Sequence, residues 1–257
     1  MACQSYGNRR ILDIIQNGDI AELREYISED NSSVPIDDDG RTPLMLASFY
    51  GKPDMVLFLI KTGADVNGIT PDGWTPLRYA AIKGGVEVAK ILIDNGADIN
   101  TPSDSPPLVT AAWYQHEELV KLLLDNGANP NSPPALALFR AVDGFNSVLQ
   151  AMGRFDLRHK INNAIIDLLI DHGADVNAQT AELGLTALMK ASSLGNMEAV
   201  VTLLRRGAKV DIATWHGGLT AIDLAETHNH SDIVDLLLTA KSGKHIDAIV
   251  RDPINSH

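Results

Sequence analysis

Residues 72–100 read DGWTPLRYAAIKGGVEVAKILIDNGADIN, and this stretch decides the fold. Thr75 followed by Pro76 is a helix-start signal, because the hydroxyl can cap a free backbone amide and the fixed φ of proline suits the first turn. Glycine adopts the left-handed conformation at helix ends without steric cost, so Gly84 predicts the end of a short helix and Gly96 the end of a second. The unit is turn, helix, turn, helix. It is too small to bury its own apolar face and needs copies on either side.

The copies are visible as Gly-Ala pairs that close the second helix of each unit. The spacings between their glycines are 33, 31, 46 and 34 residues. These glycines are Gly63, Gly96, Gly127, Gly173 and Gly207. Thr-Pro-Leu recurs at 42–44 and 75–77, and Gly-Ala-Asp-Val-Asn recurs at 63–67 and 173–177. A period of about 33 residues built from a turn and two helices is the signature of ankyrin repeats. The chain resembles the ankyrin-repeat family over nearly its whole length, which implies an all-α solenoid of stacked helix-turn-helix repeats with short β-turn fingers.

We predict one elongated domain over residues 1–257. Capping helices occupy 9–37, six repeats occupy 38–242, and a C-terminal tail follows over 243–257, with Ser242-Gly243 closing the last helix. Residues 1–8 are expected to be frayed. The repeats are placed at about 38–70, 71–102, 103–132, 133–180, 181–214 and 215–242, on the period of the family.

Repeat four departs most from the pattern. Its first helix is predicted over Leu138–Val142 and its second resumes near Asn163. Phe145–Lys160 is extra sequence between the paired helices, and Gly153 is its expected turning point. Apolar residues at helical spacing within it predict a projecting helical hairpin.

Bulk composition excludes some classes of partner. The net charge of −12 disfavours nucleic acid and anionic membranes, since both require a basic surface. Cys3 is the single cysteine, so no internal disulfide can form. No leader peptide or membrane-length apolar run is recognisable, and we expect a protein that is cytoplasmic where it is synthesised, with delivery into another cell left open. We also expect it to be monomeric alone.

The family leaves two kinds of position free, the finger tips and the two residues before the glycine between helices. Both face the concave side of the stack. The chain has 13 aromatic residues, and five of them would lie together at such positions on consecutive repeats. Large aromatics on an open surface often anchor interfaces, each contributing about 2 kcal/mol or more. The predicted partner-binding residues are Phe49, Tyr50, Trp74, Arg78, Lys83, Trp113 and Tyr114, with Phe145, Arg154, Phe155 and Arg158 from the insertion.

A structural interpretation stands beside this one. Phe49 and Trp113 could pack sideways between repeats, and the insertion could close only on itself. The alignment also places Asp143-Gly144 among the free surface pairs. The acidic run Asp37–Asp39 is interpreted as a solvated turn.

Four asparagines end the Gly-Ala turns: Asn67, Asn100, Asn131 and Asn177. The resemblance implies that their side chains hydrogen-bond turn backbone. It also implies that they could be hydroxylated by an oxygen-sensing dioxygenase, if the host has one.

A catalytic or metal site has one candidate, the cluster of His216, His228 and His230 with Asp223 and Asp232 nearby in sequence. The structural interpretation is favoured, because the family commonly has histidine at the position of His230. No nucleophile elbow, phosphate loop or zinc-type spacing is present in the sequence. We therefore predict no metal, no cofactor and no enzyme activity.

The sequence favours a protein-interaction module, acting as an adaptor, inhibitor or effector. The alternative is a receptor for a small molecule or a peptide terminus in a pocket beside the insertion. A more distant alternative is a metal-dependent enzyme built on the histidines.

Overall fold

The computed structural model describes residues 2–28, 32–101, 106–132, 137–144 and 162–243. Every regular element in these ranges is an α-helix, which confirms the predicted all-α repeat fold. The chain divides into two compact units, Met1–Asn129 and Pro130–His257, and each is described by itself. The expectation of one domain over 1–257 stays a prediction. In the described ranges, no helix combines the length and the hydropathy of a membrane span.

In its described residues, the first unit contains four helix pairs. The first helices of successive pairs pack side by side, and the second helices form a parallel layer behind them. The first helices are α1 (Ala2–Asn17), α3 (Pro43–Phe49), α5 (Pro76–Lys83) and α7 (Pro107–Trp113). The second helices are α2 (Ile20–Tyr26), α4 (Pro53–Lys61), α6 (Val86–Asp94) and α8 (Glu117–Asp125).

The second unit repeats the arrangement with three pairs in its described residues. Its first helices are α9 (Ala137–Asp143), α11 (Ala187–Leu194) and α13 (Ala221–Thr227). Its second helices are α10 (Asn163–Asp171), α12 (Met197–Arg205) and α14 (Ser231–Lys241). Contacts again join first helix to first helix and second helix to second helix.

Threonine caps start most of the first helices, as the sequence predicts. The hydroxyl oxygen accepts the backbone N–H three residues on, at 3.2 Å for Thr75 and Thr186 and at 3.4 Å for Thr42 and Thr220. A cap of this kind stabilises a helix by about 1 kcal/mol. Helix α7 starts with Pro106 instead, which offers no side-chain acceptor.

Left-handed residues end the first helices, and two of the glycines among them are covered by histidines. Gly84 has a φ of 69° and Gly195 a φ of 71°. A Cβ at Gly84 would lie 2.6 Å from the His116 ring, and one at Gly195 would lie 2.5 Å from the His230 ring. Gln115 occupies the same position of the third repeat with a φ of 63°, where glycine would be at lower energy. The glycines are therefore required both by conformation and by the ring above them.

The core includes one leucine column from each layer. In the first unit these side chains are 0 to 1% exposed: Leu44, Leu77 and Leu108 from the first helices, and Leu59, Leu92 and Leu123 from the second. Full burial of such a side chain contributes about 1.5–3 kcal/mol. Because each column spans several repeats, no repeat is stable without its neighbours.

Three expectations about the chain outside the regular repeats have different outcomes. Helix α1 begins at Ala2, whereas the capping helices were predicted from residue 9, and the expected fraying of residues 1–8 stays a prediction. Ser242 caps α14 and Gly243 has a φ of 73°, which confirms the predicted end of the last helix. The predicted hairpin over 145–160 and the tail from 244 lie outside the described residues.

Candidate binding surface

Three successive first helices end at one edge of the first unit. Helix α3 ends at Phe49, α5 at Lys83 and α7 at Trp113, and α5 lies between the other two. Each of the three helices begins with a proline (Pro43, Pro76 and Pro107) and is seven or eight residues long, so their last residues lie at similar positions. An edge built from helix C-termini carries negative partial charge, which favours a cation such as Lys83 there.

Tyr79 is at the centre of the aromatic cluster on this edge. Its ring lies 6.4 Å from that of Phe49, edge to face, and 5.3 Å from that of Trp74. Phe49 in turn meets Tyr50 edge to face at 5.2 Å. Burial raises the pKa of the Tyr79 phenol above its ordinary value. Tyr79 therefore joins the rings of two repeats.

Two cations of α5 lie on ring faces of the cluster. The Arg78 guanidinium carbon is 3.8 Å from the centre of the Trp74 ring, and the Lys83 Nζ is 4.8 Å from the centre of the Phe49 ring. Such a cation–π contact is worth about 0.5–1 kcal/mol at an exposed site. The contacts fix the direction in which each cation presents its N–H groups.

A second aromatic group continues the edge on the third repeat. The Trp113 and Tyr114 rings are 5.6 Å apart, and His116 stacks on Tyr114 at 6.2 Å. His116 Nε2 lies 3.0 Å from the carbonyl oxygen of Ile82. Burial raises the pKa of the Tyr114 phenol, and the positive charge of Arg78 partly opposes that rise. Arg78 therefore acts on both aromatic groups.

The predicted binding residues divide into two sets. Phe49, Tyr50, Trp74, Arg78, Trp113 and Tyr114 are partly buried, and Lys83 is exposed. The rings are thus neither core residues nor fully free, and they contact each other across repeats. Their role in binding stays a prediction. The four residues assigned to the insertion, Phe145, Arg154, Phe155 and Arg158, lie outside the described residues.

Tyr79 is the contact that sequence reasoning missed. Its position in the Thr-Pro-Leu-x-x-Ala pattern belongs to Leu46 in the first repeat and Leu224 in the last. Thr110 in the third repeat and Lys190 in the fifth show that the position is variable, and a large aromatic residue there was the available signal. Comparison of the repeats column by column would have found it.

The prediction that Asp143 belongs to a free surface pair is wrong. Asp143 is 2% exposed, and its carboxylate oxygens lie 3.0 Å from Lys190 Nζ and 3.5 Å from an Arg140 nitrogen. It is buried because α11 packs directly against α9 and brings Lys190 over it. The residue is a structural ion-pair centre of the second unit.

In the first finger, an arginine forms ion pairs with two of the acidic residues. Arg41 Nε lies 2.6 Å from the Asp37 carboxylate, and a second Arg41 nitrogen lies 3.0 Å from Asp39. The backbone N–H of Arg41 also donates to Asp37 at 2.9 Å. The acidic run is thus a turn whose charge is partly neutralised internally.

The four asparagines form cross-repeat contacts that we call asparagine clasps. The Asn67 amide donates to the Gly96 carbonyl at 2.9 Å and accepts from the Asp98 N–H at 2.8 Å. The other three make the same pair of bonds to the next turn: Asn100, Asn131 and Asn177. This confirms the expected bonding to turn backbone. Hydroxylation of these residues stays a prediction, which a +16 Da peptide in mass spectra of native material would show.

Ser33 makes the corresponding contact between the capping helices and the first repeat. Its hydroxyl accepts the Asp65 N–H at 2.9 Å and lies 3.5 Å from the Gly63 carbonyl oxygen. A hydroxyl can replace the amide here because it is both donor and acceptor. The sequence pattern did not reveal this residue.

The histidine cluster has structural contacts. His230 covers Gly195, and its Nε2 lies 3.3 Å from the Ser193 carbonyl oxygen. His228 Nδ1 lies 2.8 Å from the Leu224 carbonyl oxygen. Within the described ranges, no group of three metal-ligating side chains is close enough to hold an ion. The structural interpretation of His230 is supported by this packing.

An exposed apolar group lies on the last two fingers of the second unit. Leu183, Trp215 and Leu219 are 52%, 54% and 42% exposed. The Trp215 ring lies over Gly184, where a Cβ would meet it at 2.7 Å, and the backbone N–H of Trp215 donates to the Leu183 carbonyl at 3.2 Å. The contact joins neighbouring fingers.

Comparison with known proteins gives one consistent family. A family model described as ankyrin repeats matches residues 1–103, 68–134 and 158–250. The crystal structure of the human ASB11 ankyrin repeat domain is similar with a TM-score of 0.70 and 22% identity, covering 90% of this chain and 96% of that one. That likeness bears on the fold alone.

Among curated proteins, E3 ubiquitin-protein ligase XBAT33 of Arabidopsis thaliana is 34% identical over 123 residues. The match covers 48% of this chain and 21% of that protein. Ankyrin repeat and SAM domain-containing protein 6 of Rattus norvegicus is 41% identical over 68 residues, which are 26% of this chain and 8% of that protein. The chain spans about a fifth or less of these relatives.

Proposed function

The chain belongs to the ankyrin-repeat family, and on that premise we propose that it binds a protein partner through the aromatic edge of its first unit. Ankyrin repeats are in general protein-interaction modules. The observation that carries the proposal is the cluster around Tyr79, in which three rings and two cations meet although the fold requires none of them. Partly exposed rings held in fixed positions lose little entropy on binding.

The cluster has the composition of an interface centre. Tryptophan, tyrosine and arginine are the residues most enriched among those that dominate binding energy. Here all three types occur within one group. Because neighbouring side chains already hold these groups in place, we expect them to bind an extended protein surface or segment that fits the existing arrangement. A partner that requires the side chains to rearrange would bind less well.

The inserted residues 145–160 form the second part of the proposal. Insertions within repeat arrays tend to lie on the binding face. We propose that they contribute Phe145, Arg154, Phe155 and Arg158 to the same partner. Deletion of the segment tests this part independently of the rings.

The remaining expectations are carried as proposals. The protein acts without catalysis of its own, in line with a fold that is typically non-enzymatic. The ligase names belong to relatives of which this chain matches only a small part. Cytoplasmic location, the monomeric state and the lack of nucleic-acid or membrane partners stay predictions that fractionation, light scattering and binding assays address.

The test is affinity purification from native cells with quantitative mass spectrometry. The baits are wild type, the double variant Trp113→Ala/Tyr114→Ala, a variant lacking residues 145–160, and Trp215→Ala as a matched ring removal on the second unit. We expect the same partner to be lost with the double variant and the deletion and retained with Trp215→Ala. An unchanged partner set for both face variants would overturn the proposal.

A further inference from the structure

The cations on the aromatic edge restrict the charge of the partner. Arg78 covers Trp74 at 3.8 Å and Lys83 covers Phe49 at 4.8 Å. A lysine or arginine from a partner would have to displace these groups from the rings and would be repelled by them. One face of the Trp74 ring and one face of the Phe49 ring are thus already occupied by cations of the chain itself.

Lys83 is available to an anion. It is exposed at the end of α5, and among the described residues no carboxylate lies within ion-pair distance of its Nζ. The nearby acidic finger does not provide one, because Asp37 and Asp39 pair with Arg41. The ammonium group is therefore held in position over Phe49 without a counter-charge.

We propose, resting on the proposed function, that the partner segment presents one aspartate or glutamate side chain to Lys83. An apolar side chain next to it packs on the Phe49 and Tyr79 rings. A hydrogen bond between two charged groups is stronger than a neutral one, so the pair sets orientation as well as affinity.

The partner segment carries one carboxylate and not an acidic run. Asp38 and Asp72 are exposed on the two fingers that precede these rings, and the whole chain has a net charge of −12. The ammonium group of Lys83 offsets the repulsion on a carboxylate that binds it directly. Each further carboxylate of an acidic run would be repelled by this negatively charged surface without such an offset.

The test is selection of peptides by the full chain from a random linear library displayed on phage. Displayed peptides are fused through their C-terminus, so any carboxylate selected comes from a side chain. One enriched peptide is then synthesised and titrated against wild type, Lys83→Gln and Lys90→Gln. Lys90 is an exposed lysine on α6 of the same repeat and serves as the matched control.

We expect enriched peptides to contain aspartate or glutamate beside an apolar residue. Lys83→Gln should weaken the binding about fivefold, which is the size of an exposed ion pair, and Lys90→Gln should leave it unchanged. Replacing the peptide carboxylate by its amide should weaken binding to wild type by the same factor of about five. The same replacement should not weaken binding to Lys83→Gln any further.

The outcomes separate this inference from the proposed function. Enriched peptides that lose binding with Tyr79→Ala but show no acidic preference would overturn the carboxylate inference and leave the binding edge in place. Peptides that bind Tyr79→Ala as well as wild type, or a selection with no enrichment, would overturn both.

Discussion

The buried carboxylate of the second unit gives the sharpest prediction about stability. In Asp143→Asn, the amide keeps the shape of the side chain but removes the negative charge between Lys190 and Arg140. The carboxylate is 3% exposed, whereas the two cations are 21% and 35% exposed. The change therefore leaves two partly buried cations without their shared anion.

The magnitude follows from that exposure. Removing one member of a fully buried ion pair costs about 3–5 kcal/mol, and an exposed pair is worth about 0–1 kcal/mol. Since Lys190 and Arg140 can partly turn to water, we expect Asp143→Asn to lower the free energy of unfolding by about 2–3 kcal/mol, between those limits.

The matched control is Asp171→Asn in the same unit. Asp171 is ion-paired with Arg206, but its side chain is 60% exposed. The same chemical change there should cost less than about 1 kcal/mol. Combining Asp143→Asn with Lys190→Gln should cost less than the sum of the two changes, because the second removes a charge that the first left unpaired.

The assay is urea unfolding followed by circular dichroism, with hydrogen exchange of the α9 and α11 amides as a local probe. The local probe is needed because a repeat chain can lose cooperativity between its units. Equal losses in the free energy of unfolding for Asp143→Asn and Asp171→Asn would refute the reasoning. So would a loss of hydrogen-exchange protection in Asp143→Asn that spares α9 and α11 and affects other helices.

Three further changes test the local structure. Asn100→Ala breaks a clasp and should lower the free energy of unfolding in urea by about 1–3 kcal/mol. Asn95→Ala removes only a bond to a carbonyl of the preceding helix and should lower it by less. Equal losses for the two variants would contradict the role of the clasp. Gly84→Ala should destabilise by more than about 1 kcal/mol, since the residue has a φ of 69° and a ring above it, and an unchanged urea midpoint would be inconsistent with that geometry. Thr220 donates two hydrogen bonds that lower the pKa of Asp223, so Thr220→Val should raise that pKa toward its ordinary value by NMR titration, and no change would argue against the cap.

The stability that the Asp223 cap contributes also depends on pH. Because its pKa is lower in the folded chain than in the unfolded one, the stability it contributes is present above the unfolded pKa. That stability is lost as pH falls through the folded pKa. Acid should therefore loosen the last repeat more in wild type than in Thr220→Val.

The regular part of the fold could be predicted because its signals are local. A threonine cap or a left-handed glycine acts within a few residues of itself, so Thr75 and Gly84 mark helix ends without knowledge of the rest of the chain. The bonding of the four asparagines to turn backbone was expected from the family resemblance, but the structure adds that each clasp reaches the turn of the next repeat. Because the same signals recur in several repeats, each prediction is supported at several positions of the chain.

The misses are contacts between elements far apart in the sequence. Asp143 was placed on the surface by alignment, but Lys190 of the next first helix covers it, and the two residues lie far apart in the sequence. Tyr79 was passed over because the residue type at its position varies between repeats, from Leu46 in the first to Lys190 in the fifth. Its role became visible only when the structure placed the rings of Phe49 and Trp74 beside it. Such contacts depend on tertiary packing, which local signals do not carry.

The most direct test of the account is a hydrogen-exchange footprint of the chain with the partner recovered by affinity purification. We predict that the partner protects the C-terminal ends of α3, α5 and α7, together with the finger that carries Trp74, and that Tyr79→Ala abolishes this protection. Protection confined to the second helices, or to the fingers of the second unit around Trp215, would contradict the claim that the Tyr79 cluster is where this protein binds.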